Sequence, residues 1–248
     1  MSDFDRRFAR PTAAAADMSV DAGLRAFMLG VYNKLALGLV LSGALAYAFA
    51  YTPLAGLFYE MSWNQPVGLT GLGMAIRWAP LLLILGASFL MRNPTPQSAA
   101  LLYWGMVSLI GASLSVWFVI FSLGSVAQVF FITAAAFGGL SLFGYATKRD
   151  LTGMGSFLIM GMFGIIIASV VNMFMHSGMI SFIVSILGVL IFAGLTAYDT
   201  QRLKLTYYHL GGDQAAMGVA TSYGALSLYL DFINLFQFLM SIMGGNRR

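Results

Sequence analysis

The sequence predicts an all-α membrane protein, a seven-transmembrane-helix bundle with almost no soluble domain beside it. Apolar residues make up 59% of the 248 residues, whereas Asp, Glu, Lys and Arg together make up only 9%. A soluble domain carries roughly 25% charged residues, because its surface must be hydrated. The apolar residues also fall into runs of about 20, the length at which a helix crosses a hydrocarbon layer of about 30 Å.

Residues 1–25 are predicted to form a flexible cytoplasmic N-terminal tail, and residues 26–248 to form the transmembrane domain. The first segment holds four Arg, four Asp and one Pro. It lacks the continuous apolar core that a cleaved signal peptide needs. We therefore interpret it as a solvated segment that helps to orient the protein in the membrane.

Seven apolar segments follow the tail, and short polar connections separate them. The sequence Asn-Pro-Thr-Pro at 93–96 ends the second segment, because Pro lacks a backbone donor and restricts the residue before it. The brief connections at 122–125 and 176–178 require antiparallel neighbouring helices. The predicted spans are Ala26–Tyr51, Gly68–Met91, Ala99–Phe121, Val126–Thr147, Ser156–Met175, Gly178–Tyr198 and Met217–Met243.

The positions of Lys and Arg predict the orientation, because positively charged loops tend to stay in the cytoplasm. With the N-terminus in the cytoplasm, only Arg77, Arg247 and Arg248 of the 13 Lys and Arg residues remain for the other side. An odd number of spans places the C-terminus outside, which the terminal Arg pair disfavours. A re-entrant final helix is therefore the main topological alternative.

Neither an enzyme activity nor a cofactor is expected. The chain has no Cys, which excludes disulfides, thiolate metal sites and Cys nucleophiles. A serine intramembrane peptidase needs a GxSG-like turn and a His on a facing helix. Ser88 and Ser113 lack that pattern, and His176 and His209 are predicted to lie in loops. No HExxH motif occurs, and no nucleic-acid partner is expected.

Two Asp residues at membrane depth are the candidate functional residues. A charge at the centre of a membrane helix costs roughly 2.5 to 3.5 kcal/mol, so it usually faces a partner or a water-filled cavity. Asp199 ends the sixth apolar run, and Asp231 lies in the middle of the last one. Ser227, Asp231 and Asn234 are spaced i−4, i and i+3, so they form one polar stripe that is predicted to point into the bundle.

Structural interpretations of the same residues stay open at this stage. Asp199 lies next to a predicted cytoplasmic loop, where a solvated helix-end residue pairs with Arg202 or Lys204. Asp231 fits a structural cross-link between helices. Arg92 ends a helix beside a turn, which is also the usual position of an anchor that keeps a loop in the cytoplasm.

Three segments together resemble a known family: VYNKLALGLVLSG from Val31, YDTQ at 198–201 and LYLDFINLF at 228–236. In this order they resemble the Bax inhibitor-1 family, also called the transmembrane Bax inhibitor motif family. The resemblance covers nearly the whole chain beyond the tail. It implies a bacterial member, a multi-pass protein of the inner membrane, whose seven-helix bundle has the last helix central.

The resemblance also implies roles for three residues. In bacterial members, an Asp at the end of the sixth helix and an Asp within the seventh form a hydrogen-bonded pair that senses pH on a calcium-leak path. Asp199 and Asp231 match those positions. An Arg at the cytoplasmic end of the second helix can latch the first of these Asp residues, and Arg92 matches it.

Elementary electrostatics explains how such a pair would respond to pH. Two carboxylates held close in a low dielectric cannot both stay ionised, so the pair tends to share a proton. Calcium prefers six to eight oxygen ligands, so Asp199, Asp231 and water make only a weak, transient site. Weak binding suits permeation, because an ion must leave as readily as it enters.

The expected function is thus a pH-sensitive calcium-leak channel or transporter whose partners are the lipid bilayer, calcium ions and protons. Calcium would be cargo and no cofactor is expected. The alternative is a non-conducting regulatory protein. Bacterial relatives are also known as modulators of a membrane-bound ATP-dependent protease, and eukaryotic relatives as suppressors of cell death.

Overall fold

The computed structural model describes residues 13–63, 65–90 and 93–244, and most of them are helical. The elements are α1 (Ala13–Tyr51), α2 (Ala55–Phe58), β1 (Tyr59–Ser62), β2 (Gln65–Leu69), α3 (Gly71–Leu90), α4 (Pro96–Ser113), α5 (Ser115–Ile120), α6 (Leu123–Ala146), α7 (Thr152–Met175), α8 (Gly178–His209) and α9 (Gln214–Met243). The two strands pair as an antiparallel hairpin in the connection between α1 and α3. The sequence predicted a loop up to residue 67 and placed residues 68 and 69 in the second span.

The prediction of an all-α membrane protein is confirmed. Within the described ranges, six helical segments are long and apolar enough to cross a membrane: the part of α1 from Ala22, α4 together with α5, and each of α6 to α9. α3 is apolar as well but shorter, with 20 residues. The third predicted span is divided at Leu114, which separates α4 from α5.

Two helices extend more than ten residues beyond the apolar runs that predicted them. α1 begins at Ala13 instead of Ala26, and α8 continues past Tyr198 to His209. Asp199 therefore lies inside α8 and not at its end. His209 lies in the last turn of α8 and not in a loop. The physical reason is that the apolar run marks the part of a helix suited to lipid, whereas Ala-rich and Lys/Arg-containing flanks remain good helix formers.

Polar residues at the helix starts explain where the chain turns. Thr95 accepts a hydrogen bond from the backbone N–H of Ser98, and Pro96 occupies the first turn of α4. Ser122 and Ser177 cap α6 and α8 in the same manner. Such caps satisfy backbone donors that the first turn of a helix leaves unpaired. Each short connection therefore returns the chain directly into the neighbouring antiparallel helix.

α9 packs against α1, α4, α6 and α8. Half of its most apolar stretch is buried, compared with 11% for α7, so α7 presents most of its surface to lipid. Leu228, Tyr229, Leu235 and Met240 of α9 are almost completely buried. α9 is also a single uninterrupted helix of 30 residues, whereas a re-entrant segment folds back within the membrane. The buried polar side chains of α9, Ser222 and Asp231, consequently face other helices.

Candidate functional site

Asp199 and Asp231 are brought together where α8 packs on α9. The two helices are antiparallel and joined by the short turn at 210–213. The side chains are almost fully removed from the surface, with exposures of 6% for Asp199 and 5% for Asp231. Their carboxyl groups are close enough for charge interaction and for a hydrogen bond with each other. The bundle thus encloses two acidic groups that are close enough to interact.

One oxygen of this pair has no donor. Asp231 Oδ2 is buried and receives no hydrogen bond from any residue in the described part of the chain. Its neighbour, the Asp199 carboxyl group, has a hydrogen to donate only when it is itself protonated. A buried acceptor without a donor is costly. A proton on either carboxyl group would give the pair a donor of its own.

Asp199 has two further polar neighbours. Ser227 Oγ on α9 donates a hydrogen bond to Asp199 Oδ2. Arg202, one turn further along α8, places Nη2 3.4 Å from Asp199 Oδ1 and 3.4 Å from Ser227 Oγ. The Arg202 side chain is 49% exposed, so it extends from the buried pair towards the surface. Asp199 is thus the member of the pair that a cation can reach.

The predicted latch residue, Arg92, lies outside the described residues. The structure instead shows Arg202 beside Asp199, in the i,i+3 geometry that was considered for a solvated helix end. That alternative identified the right partner for the wrong reason, because Asp199 is buried and not solvated. The i,i+3 spacing was the available signal for Arg202, which sequence reasoning did not place at the site.

Asn234, the third residue of the predicted stripe, does not contact the Asp pair through its amide nitrogen. Its Nδ2 donates instead to the Leu230 carbonyl oxygen on its own helix, at 2.8 Å. Asn234 also lines a cavity of about 280 Å³ between α3, α4, α5 and α9, together with Arg77 and Gln237. Along α9, the residues that line this cavity run from Leu230 to Gln237, so the cavity lies beside Asp231 and extends away from the α8–α9 turn. The polar stripe therefore continues into an open volume.

The four residues of the YDTQ segment each make a separate contact. The Tyr198 ring packs beneath the Arg202 guanidinium, with 5.7 Å between the carbon and the ring centre. Thr200 shares a hydrogen bond of 2.9 Å with Ser141 of α6. Gln201 donates to the Arg149 carbonyl oxygen at 2.7 Å and accepts from the Leu151 N–H at 2.9 Å. These contacts fix α8 against α6 and the α6–α7 loop, and so hold Asp199 in place.

Close helix contacts at glycine surround the same stretch of α8. A Cβ atom at Gly144 of α6 would lie 2.2 Å from the Ala197 carbonyl oxygen, and one at Gly155 of α7 would lie 2.3 Å from the Tyr198 ring. A Cβ at Gly224 of α9 would meet Leu203 at 2.4 Å. Small residues let membrane helices approach closely. The site therefore lies where α6, α7 and α9 all approach α8 closely.

The donor set at the pair is small. Within the described ranges there is no group of three or more His, Asp or Glu side chains that is able to hold a metal ion. The Asp199 and Asp231 carboxylates and the Ser227 hydroxyl offer fewer oxygens than the six to eight that calcium prefers. Any calcium ion there would need water for its remaining ligands, so the site can hold the ion only weakly.

Comparison with known proteins agrees with the architecture. The family described as inhibitor of apoptosis-promoting Bax1 matches residues 24–248. A Caulobacter vibrioides protein is 60% identical over the full length of both chains. The Escherichia coli inner membrane protein YbhL is 37% identical over 91% of this chain and 94% of its own length. A Rickettsia prowazekii protein, RP147, is 41% identical over 95% of this chain and 96% of its own. This multi-pass membrane protein therefore belongs to the Bax inhibitor-1 family.

Proposed function

We propose that the protein is a pH-sensitive calcium-leak channel of the bacterial inner membrane and that the Asp199–Asp231 pair controls its path. The observation that supports the proposal is that two buried carboxyl groups lie close enough to interact, and an oxygen of one has no donor in the described residues. Ionisable residues inside a membrane protein usually mark ion paths or proton relays.

The proposed arrangement has seven spans, with α9 in the centre and the N-terminus in the cytoplasm. The length of α3 supports the count of seven, because a helix of 20 residues is about 30 Å long, which is enough to cross the hydrocarbon layer once. The packing of α9 against α1, α4, α6 and α8 supports its central position. In this orientation the α8–α9 turn faces the cytoplasm and the cavity beside Asn234 faces the opposite side.

Competition between a proton and calcium explains the proposed pH response. While the pair holds its proton, the two groups bind each other and offer little charge to a cation. Loss of that proton leaves two carboxylates side by side, whose repulsion is relieved by a divalent cation. Calcium uptake at the pair should therefore fall as the pH falls.

Arginine competes for the same carboxylate. Arg202 reaches Asp199 from the exposed side, and Arg92, outside the described residues, is the proposed latch from the second span. A guanidinium bound to Asp199 neutralises it and so lowers its attraction for calcium. The open fraction is thus set by protons, Arg side chains and calcium acting on one carboxyl group.

The polar stripe on α9 supplies the proposed route beyond the pair. Asn234 follows Asp231 by one turn and lines the 280 Å³ cavity with Gln237. Amide oxygens and water are suitable ligands for a hard cation. A calcium ion leaving the pair therefore meets polar groups along this face of α9 before it reaches the surface.

Calcium flux into proteoliposomes tests the proposal. The wild type should conduct calcium with a strong pH dependence, and Asp231→Asn should remove that dependence, because an amide cannot share the proton. Asp150→Asn is the matched control, since Asp150 is an exposed acid in the α6–α7 loop. A non-conducting regulator of a membrane-bound protease would show no flux in any variant, and unchanged pH dependence in Asp231→Asn would contradict the role of the pair.

A further inference from the structure

An apolar groove runs between α1 and α6, with Phe232 of α9 as its floor. It consists of two cavities of about 750 Å³ and about 480 Å³, which share Phe232, Ala36 and Leu39 and therefore adjoin. The groove follows α1 from Arg25 to Ala46, a helical rise of about 30 Å. A groove of this length extends across most of the hydrocarbon layer.

Two cations lie at the end of the groove near the start of α1. Arg25 lines this end and is exposed. Tyr145 lines the opposite wall, and Lys204 Nζ lies 5.3 Å from the centre of its ring and 3.3 Å from its carbonyl oxygen. Lys204 forms no ion pair with a carboxylate among the residues whose side chains the structure describes. Arg25 and Lys204 therefore bring positive charge to this end of the groove.

The remainder of the groove offers little to a polar ligand. Leu29, Ala134 and Leu142 form its walls. The polar groups Tyr32 and Ser141 are hydrogen-bonded to each other across it. An apolar channel with two cations at one end matches a molecule that has a long hydrocarbon part and an anionic end.

We propose that this groove binds one acyl chain of an anionic phospholipid, whose phosphate contacts Arg25 and Lys204. Charge complementarity favours this occupant over the transmembrane helix of a second copy, since an apolar helix face has nothing to neutralise the two cations. The proposed site is separate from the Asp199–Asp231 pair and does not depend on calcium conduction. Phe232, the floor of the groove, directly follows Asp231 in α9.

Two adjacent glycines of α6 provide a matched test. Gly138 lines the groove, and a Cβ atom added to it would meet nothing within 4 Å. Gly139 is equally open to a Cβ but lies outside the lining. Gly138→Leu should therefore fill the groove without a backbone clash, whereas Gly139→Leu places the same side chain on the lipid-facing surface. Both variants gain the same helix propensity.

The experiment is native mass spectrometry of the purified full-length protein, titrated with phosphatidylglycerol or with phosphatidylcholine of the same chain length. The wild type should retain one phosphatidylglycerol more strongly than one phosphatidylcholine. Gly138→Leu should lower the affinity for both lipids at least tenfold, and Gly139→Leu should leave it unchanged. Arg25→Gln should lower phosphatidylglycerol binding about fivefold, the effect of one cation at an anionic surface, about 1 kcal/mol.

Three results would overturn the proposal. Equal lipid retention by Gly138→Leu and Gly139→Leu would show that the lipid binds elsewhere. Equal binding of the two lipids, unaffected by Arg25→Gln, would show that no anionic headgroup is recognised. The control for Arg25→Gln is Lys148→Gln, which removes the charge of an exposed cation outside the groove. A dimer that Gly138→Leu alone disrupts would show that a second copy occupies the groove.

Discussion

Ser227 on α9 donates its hydroxyl hydrogen to Oδ2 of Asp199 on α8. The bond joins two buried helix faces at the acidic pair, where the Arg202 guanidinium also approaches both residues. Asp199 is thus held from two sides before any proton or cation reaches it. This contact distinguishes Asp199 from Asp231, whose Oδ2 has no donor in the described residues.

Ser227→Ala should shift the pH response of calcium flux to higher pH. The hydroxyl donates to Asp199, and a hydrogen bond to a charged group contributes roughly 1.5 to 3 kcal/mol, so its loss disfavours the charged form. Flux measured in proteoliposomes over a pH series gives the midpoint. The control is Ser222→Ala, which removes another hydroxyl of α9, one that accepts a hydrogen bond from Lys34 of α1. Equal midpoints for Ser227→Ala and the wild type would contradict the role of the Ser227–Asp199 bond.

Arg202→Gln should move the same midpoint upward. The guanidinium lies 3.4 Å from Asp199 Oδ1 and favours the charged carboxylate, so its removal makes proton uptake easier. The shift should be moderate and should decrease in high salt, because the Arg202 side chain is half exposed and screened. Lys148→Gln removes an exposed cation from the nearby α6–α7 loop and should leave the midpoint in place. A midpoint that moves downward in Arg202→Gln would contradict this assignment.

Arg77→Gln should raise calcium flux at least about threefold at low ionic strength. Arg77 lines the cavity into which the polar stripe of α9 continues, and no carboxylate within the described ranges forms an ion pair with it. A fixed positive charge beside a cation path raises the barrier to entry. The increase should shrink as salt is added. A flux that is the same with Gln and with Arg at all salt concentrations would place the path elsewhere.

Gly144→Ala should destabilise the bundle by about 1 to 3 kcal/mol, the usual effect of overpacking. Its Cβ would lie 2.2 Å from the Ala197 carbonyl oxygen, so α6 and α8 must separate. Gly139→Ala in the same helix meets nothing within 4 Å and should be neutral or mildly stabilising. Thermal unfolding in detergent compares the two. An equal melting temperature for both variants would show that the close contact between α6 and α8 can relax without cost.

The sequence predicted the helical architecture because helices in contact with lipid must be apolar, so the hydropathy of the sequence identifies them. It was less informative about the ends of α1 and α8, since charged residues outside the bilayer remain helical and carry no apolar signal. The division at Leu114 and the hairpin at 59–69 were missed for a related reason. Both depend on tertiary contacts, such as the hydrogen bond of 2.7 Å between Tyr59 and Ser115.

The candidate site was predictable in part. A buried Asp in an apolar helix is unusual enough to single out Asp231, and the spacing of Ser227 placed a hydroxyl on the same face. The resemblance implied the pairing of Asp199 with Asp231, but the cation beside Asp199 was not predictable, because several cations lie close to Asp199 in the sequence. The supporting contacts of Thr200 and Gln201 were also missed, since Thr and Gln are common in helices for many reasons.

The central claim is that the Asp199–Asp231 pair holds one proton at neutral pH. Infrared difference spectroscopy of the protein in lipid measures it directly, through the C=O stretching band of a protonated carboxyl group. The wild type should show one such band that calcium or alkaline pH removes. Asp231→Asn should lack it, since an amide cannot share the proton with Asp199. A wild-type spectrum without this band at neutral pH, or one that Asp231→Asn leaves unchanged, would contradict the account.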